Sequence, residues 1–176
     1  MGLYLNPNAD AFQMGLNTEI YVDKSLILSE LNKLVSSQGN FVCLSRPRRF
    51  GKSMAGNMIS AYYSKGCDTR EVFSQMKLGQ EPCFDKHLNK FNVIKLDLNG
   101  WYQNTKKKNT HASLIEQIDK IVAEEFKEQF QNIVFGDDEN SIDKCISKVY
   151  KLTGEKFVII IDEYDVLIRE QVPQSL

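Results

Sequence analysis

The sequence predicts an α/β protein built on a mostly parallel sheet, and three stretches carry that prediction. The first is Phe41-Val-Cys-Leu-Ser-Arg-Pro-Arg-Arg-Phe-Gly-Lys-Ser-Met54, an apolar run that meets a basic turn and then residues able to start a helix. Strand, loop and helix N-terminus in that order form a phosphate-binding P-loop. The second is Lys156-Phe-Val-Ile-Ile-Ile-Asp-Glu-Tyr-Asp165, a continuous apolar run ending in acids, as a fully buried parallel strand reads. The third is Val93-Ile-Lys-Leu-Asp-Leu98, which alternates from Ile94 onward and predicts a half-exposed strand nearer a sheet edge.

The elements between these strands follow from periodicity and punctuation. Residues 1–17 show little period and are expected to wrap the surface. Ile20 to Asp23 reads as extended. A helix over Lys24 to Val35 follows, with Asp23 as N-cap and Ile27, Leu31, Leu34 and Val35 on one face. Phe41 to Ser45 is the expected first core strand, carrying Cys43 as a small buried hydrophobe. Ser53 to Ser64 is the next helix, packing Met54, Met58, Ala61 and Tyr62, with Gly66 as its terminator. Val72, Phe73 and Met76 suggest a short helix inside a connector that reaches Asn92. Asn99 to Thr110 reads as a polar loop, with Trp101 packed against the sheet and Lys106, Lys107 and Lys108 solvated. Two helices complete the pattern. Ala112 to Phe130 turns Ile115, Ile118, Val122 and Phe126 to one side, and Ser141 to Leu152 is closed by Gly154.

Composition narrows the class. A chain of 176 residues with 42% hydrophobic content and a net charge of −1 suits one folded domain and shows no global basic bias towards nucleic acid. No apolar run approaches membrane-spanning length, and the N-terminus has no signal-peptide pattern, so no membrane partner and a cytoplasmic location are expected. Cys43, Cys67, Cys83 and Cys145 form no C-x-x-C pair, and His87 and His111 are the only imidazoles, which argues against a structural zinc site.

The chemistry concentrates at two strand ends. Amides of the loop and first helical turn, from Arg48 through Arg49, Phe50, Gly51, Lys52 and Ser53 to Met54, point at an anion that the helix dipole also favours. Lys52 reaches the β- and γ-phosphates as a point charge, and the Ser53 hydroxyl ligates Mg²⁺. The pattern G-x-x-x-x-G-K-[ST] is broken at Arg46, where glycine is usual, and Pro47 offers no amide. Asp162 fits the Walker B aspartate holding Mg²⁺, and Glu163 the base that positions the attacking water. Each half has a bland alternative, a basic surface turn and a buried strand with an ordinary acidic end. Both together point to nucleotide binding.

With these motifs placed, the chain resembles the predicted AAA-ATPase-like proteins common in gut anaerobes. The resemblance rests on Tyr21-Val-Asp-Lys-Ser25, Ser45-Arg-Pro-Arg-Arg-Phe-Gly-Lys-Ser53 and Ile160-Ile-Asp-Glu-Tyr-Asp165, and runs from about Asp10 to the end. Arginine at the first loop glycine is normal in that group. The resemblance implies a P-loop NTPase with three layers, α/β/α, and sheet order 5-1-4-3-2, truncated after the Walker B strand. Residues 1–40 would be an N-terminal arm and leading helix, and 41–176 a partial AAA-like core. Strand 4, between Phe41–Ser45 and Phe157–Ile161, would lie beyond Leu176. The implied cofactors are ATP and Mg²⁺, with Lys52 and Glu163 catalytic, Arg48 to Met54 holding the nucleotide, and Ser53 and Asp162 holding the metal.

Family members usually continue into a nuclease-like domain of the PD-(D/E)XK type, through which alone nucleic acid is an expected partner. A chain ending at Leu176 is expected to be weakly active, and unstable or self-associating. Two other functions compete with ATP hydrolysis in the complete protein. One is a non-hydrolysing nucleotide-gated switch or interaction module. The other is a nucleic-acid partner using Arg46, Arg48, Arg49 and Lys106 to Lys108.

Overall fold

The computed structural model describes residues 2–45, 47, 50–105 and 111–166. Its elements in chain order are α1 (Asp10–Leu16), α2 (Leu26–Leu34), α3 (Lys52–Tyr63), α4 (Arg70–Ser74), a 3₁₀ turn (Lys77–Gln80), β1 (Asn92–Asp97), α5 (Leu98–Thr105), α6 (His111–Gln129), α7 (Ile142–Thr153) and β2 (Phe157–Asp162). β1 and β2 pair in parallel, with Lys95 opposite Ile160 and Asp97 opposite Asp162. Mixed α/β architecture with a small parallel sheet therefore stands.

Side-chain alternation along the two strands builds a core on each face of the sheet. Val93, Val158 and Ile160 meet α3, α2 and α1 through Met58, Tyr62, Leu28 and Phe12. Ile94, Leu96 and Phe157 meet α6 and α7 through Ile118, Val122, Phe126, Cys145 and Val149. The long helices sit largely as their periods predict, except that Ile115, expected on the packed face of α6, is 54% exposed. Ile118, Val122 and Phe126 of α6 are buried, and Gly154 closes α7 in the left-handed conformation at φ 71°. Helix α3 likewise buries Met58, Ala61 and Tyr62, while Met54 is half-buried.

Several expectations are corrected. Phe41 to Ser45 forms no strand: Phe41 is 95% exposed, and Val42, Cys43 and Leu44 are exposed as well. A strand exists only through its ladder, and no strand pairs with this segment among the described residues. For the same reason β2 is not fully buried, and Ile159 and Ile161 stand half-exposed on the face away from α3. β1, expected to be the half-exposed edge strand, is the better covered of the two. The N-terminal arm crosses it, with an antiparallel bridge from Leu5 to Ile94 and an Asn6 amide donating to the Val93 carbonyl at 2.7 Å.

That arm does not simply wrap the surface. Leu5 and Phe12 are core residues, and Glu125 of α6 holds the arm by accepting the amides of Leu3, Tyr4 and Leu5. The expected polar loop after β1 is helix α5. Asp97 accepts the amides of Asn99 and Gly100 at its start, and Trp101 is buried against Tyr4 with ring centroids 5.0 Å apart. In α2 the expected Ile27, Leu31 and Val35 are half-buried against the core, while the fully buried positions are Leu28, Ser29 and Asn32. The Asn32 side-chain amide donates to the Tyr62 hydroxyl, and its side-chain carbonyl accepts the Tyr63 hydroxyl. Gly66 does not terminate α3. The helix already leaves at Ser64, whose extended backbone leads into a bridge with Phe91. Lys106, Lys107 and Lys108 lie outside the described residues.

Candidate functional site

Gly51 makes the turn into α3. Its φ of 76° and ψ of 32° lie in the left-handed region, which a residue with a Cβ enters only at a cost of about 1–2 kcal/mol. Lys52 and Ser53 are the first two residues of α3, so their amides are among the unpaired donors of the helix start. Ser53 is exposed and Lys52 half-buried. The loop before them is tied down by Lys24, whose ammonium donates to the Phe50 carbonyl at 2.9 Å. Phe50 itself is 61% exposed, and its amide meets the Pro47 carbonyl at 3.4 Å. Arg46, Arg48 and Arg49 lie outside the described residues.

The direction of α3 decides which end of the sheet this turn faces. At its C-terminal end, the Tyr63 carbonyl accepts the Phe91 amide just ahead of β1. Farther back, Asn57 bonds the Lys95 ammonium in mid-strand, and the Gly56 backbone lies against Ile160 of β2. α3 therefore runs antiparallel to both strands. The Gly51-Lys52-Ser53 turn lies at the carboxyl end of the sheet, where β2 ends in Asp162 and Glu163. Ligands in open parallel sheets bind at that end.

Asp162 accepts the amide of Glu163 at 3.0 Å, and Glu163 takes a φ of 52°, unusual for a residue with a side chain. Sequence reasoning missed the third acidic group of this end, Asp97, the register partner of Asp162. It also missed Lys95, whose ammonium is desolvated by burial. That burial lowers its pKa against the opposing pull of Asp162 and Asp97. Lys24 carried a signal in the Tyr21-Val-Asp-Lys-Ser25 signature, but nothing there showed what its side chain would touch. Among the described residues no group of three or more His, Cys, Asp or Glu side chains is arranged to hold a metal ion.

Beside the turn lies a cleft of about 350 Å³, walled by Ile20, Tyr21, Val22, Phe50, Met54 and Met58, with Lys24 and Gly51 at its rim. Met54 also packs on α1, close enough to Gly15 that a Cβ there would meet its sulfur at 2.3 Å.

Parallel strands, a glycine turn into a helix and carboxylates at the same sheet end define a mixed α/β chain whose polar groups gather at one end of the sheet. The family comparison agrees. The AAA-ATPase-like family model, described as Predicted AAA-ATPase, matches residues 11–175, and the chain belongs to that family. Membership carries nucleotide binding and a predicted ATPase function at the level of the family. No curated protein and no solved structure matches the chain. Among the described residues no helix is long and apolar enough to cross a membrane.

Proposed function

We propose that this chain is the Mg²⁺-dependent ATP-binding part of an ATPase, with Arg46 to Ser53 as its Walker A loop and Asp162-Glu163 as its Walker B end. The observation that carries the reading is the left-handed Gly51 leading directly into Lys52 and Ser53 at the start of α3, on the sheet end that also bears Asp162. Amides of that first turn and the Lys52 ammonium hold the β- and γ-phosphates, with Arg48 and Arg49 adding charge. Ser53 and Asp162 offer only oxygen donors, which suits a hard cation such as Mg²⁺ better than zinc or copper.

Glu163 takes the proton of the attacking water in the complete protein. The cleft beside Gly51 receives the base: its walls are mostly apolar and aromatic, as a flat ring requires. In this reading residues 1–40 form an arm and leading helix ahead of an AAA-like core at 41–176, in a protein acting in the cytoplasm. A nucleotide-gated switch without turnover uses the same residues and differs only at Glu163.

Lys52→Ala tests the binding step, and titration with a fluorescent ATP analogue should show binding abolished. Unchanged affinity would overturn the assignment. Glu163→Gln in the full-length protein separates enzyme from switch. It should keep ATP affinity while turnover falls by about 10²–10⁴-fold. Equal turnover in both proteins would remove Glu163 from the chemistry.

A further inference from the structure

On the far side of α3 from the Gly51 cleft lies a second cavity of about 370 Å³, bounded by the N-terminal arm, α1, α3, the end of β1 and α5. It shares no lining residue with the first. Two features show that it is built to hold something. One wall is aromatic, formed by Tyr4 and Trp101 as neighbouring tilted rings and by Phe12. Opposite-sign groups complete the edge, with the Lys95 ammonium bound to Asn57 and the Asp97 carboxylate holding the start of α5.

Charge complementarity selects the ligand. An anion would face Asp97 and a cation Lys95, so an ion of either sign meets repulsion along with attraction. A flat uncharged ring that accepts from Lys95 and donates to Asp97 or the Asn57 carbonyl oxygen meets none. We propose that this cavity is a second binding site, for an unphosphorylated heterocycle of the nucleobase or nucleoside class. It shares no lining residue with the cleft proposed for the ATP base, and its Lys95–Asp97 edge stands next to the strand end that bears Asp162. Stacking against Tyr4 or Trp101 supplies contact area, and the Lys95–Asp97 edge supplies orientation.

Trp101 is the only tryptophan in the chain, so its fluorescence reports on this cavity alone. The 176-residue chain is titrated with adenosine, guanosine, cytidine and uridine in turn. At least one should quench Trp101 saturably, with a Kd on the order of 0.1 mM for a ligand of that size. Lys95→Met should weaken that binding by about tenfold or more, since it removes a charged hydrogen-bond partner. Ala11→Phe, at an exposed position on the cavity mouth, should block it without touching the core. Lys52→Ala should leave it unchanged, whatever becomes of ATP binding. The proposal is overturned if no nucleoside quenches saturably, if either cavity variant binds as tightly as the parent, or if Lys52→Ala abolishes the signal.

Discussion

The Lys24 ammonium donates to the Phe50 carbonyl across 2.9 Å, joining the segment ahead of α2 to the loop that turns into α3. The contact comes from the Tyr21-Val-Asp-Lys-Ser25 signature and gives it a physical role. It fixes the carbonyl immediately before Gly51, the residue whose left-handed backbone aims the Lys52 and Ser53 amides. Asp23 anchors the same segment from the other side by accepting the amides of Ser25 and Lys77, both at 2.8 Å.

Lys24→Met should therefore weaken ATP binding without unfolding the protein. The contact is exposed, so its net worth is that of an ordinary hydrogen bond, about 0.5–1.5 kcal/mol, or roughly 2–10-fold in affinity. Titration of parent and variant with the same ATP analogue measures it. Equal affinities would show that the loop keeps its shape without Lys24.

Leu5→Ala tests the arm. Leu5 is fully buried between β1 and the α6 face, and the substitution should cost about 2–5 kcal/mol, read as a lower urea midpoint with unchanged slope. A change below about 0.5 kcal/mol, the range of surface substitutions, would place Leu5 outside the core.

What could be read from the sequence was local. The helices α3, α6 and α7 announce themselves through periodic apolar faces, and Gly51-Lys52-Ser53 and Gly154 through the backbone conformations that glycine permits. What could not be read depends on distant partners. Leu5 is buried because Ile94, far along the chain, lies across from it. Phe41 to Ser45 has a strand's composition, yet no strand among the described residues gives it a ladder. Asn99 and Gly100 are poor helix residues, and α5 forms there because Asp97 caps it and Trp101 finds a place in the core. In the site, residue types at Asp162 and Glu163 suggested roles. The approach of Lys95, Asp97 and Lys24 required the fold.

His87 gives a pH dependence. Burial holds its pKa below the usual histidine value, Lys86 and Lys90 push the same way, and Nε2 has no hydrogen-bond partner among the described residues. The folded protein thus keeps the neutral ring to lower pH than the unfolded chain does. As pH falls through about 6.5, the unfolded chain takes up the proton first, and stability declines until the folded form is protonated too. Urea midpoints measured at about pH 7.5 and 5.5 should fall toward the acid side, and His87→Phe should shrink that difference. An identical difference in the variant would assign the slope to other groups.

The last prediction concerns the outer side of β2. Ile159 and Ile161 are 51% and 50% exposed, and no strand pairs with the other edge of β2 among the described residues. Phe41, Val42 and Leu44 add exposed apolar surface in a segment whose Cys43 sulfur lies 3.8 Å from the Tyr164 hydroxyl, just past the end of β2. An open strand edge with apolar side chains offers unpaired amides and carbonyls to any second strand, and natural proteins guard such edges with charge or cover. Among the described residues neither device guards Ile159 or Ile161. The 176-residue chain should therefore self-associate in the micromolar-to-millimolar range, where exposed edges drive assembly. Sedimentation velocity should show a weight-average mass that rises with concentration. Ile159→Lys places a charge on the half-exposed face without entering the α3 core, so it should restore the monomer while leaving the circular dichroism spectrum unchanged. A parent chain that stays monomeric across that range would mean that the edge is already covered. A variant that associates as strongly as the parent would move the contact elsewhere on the surface.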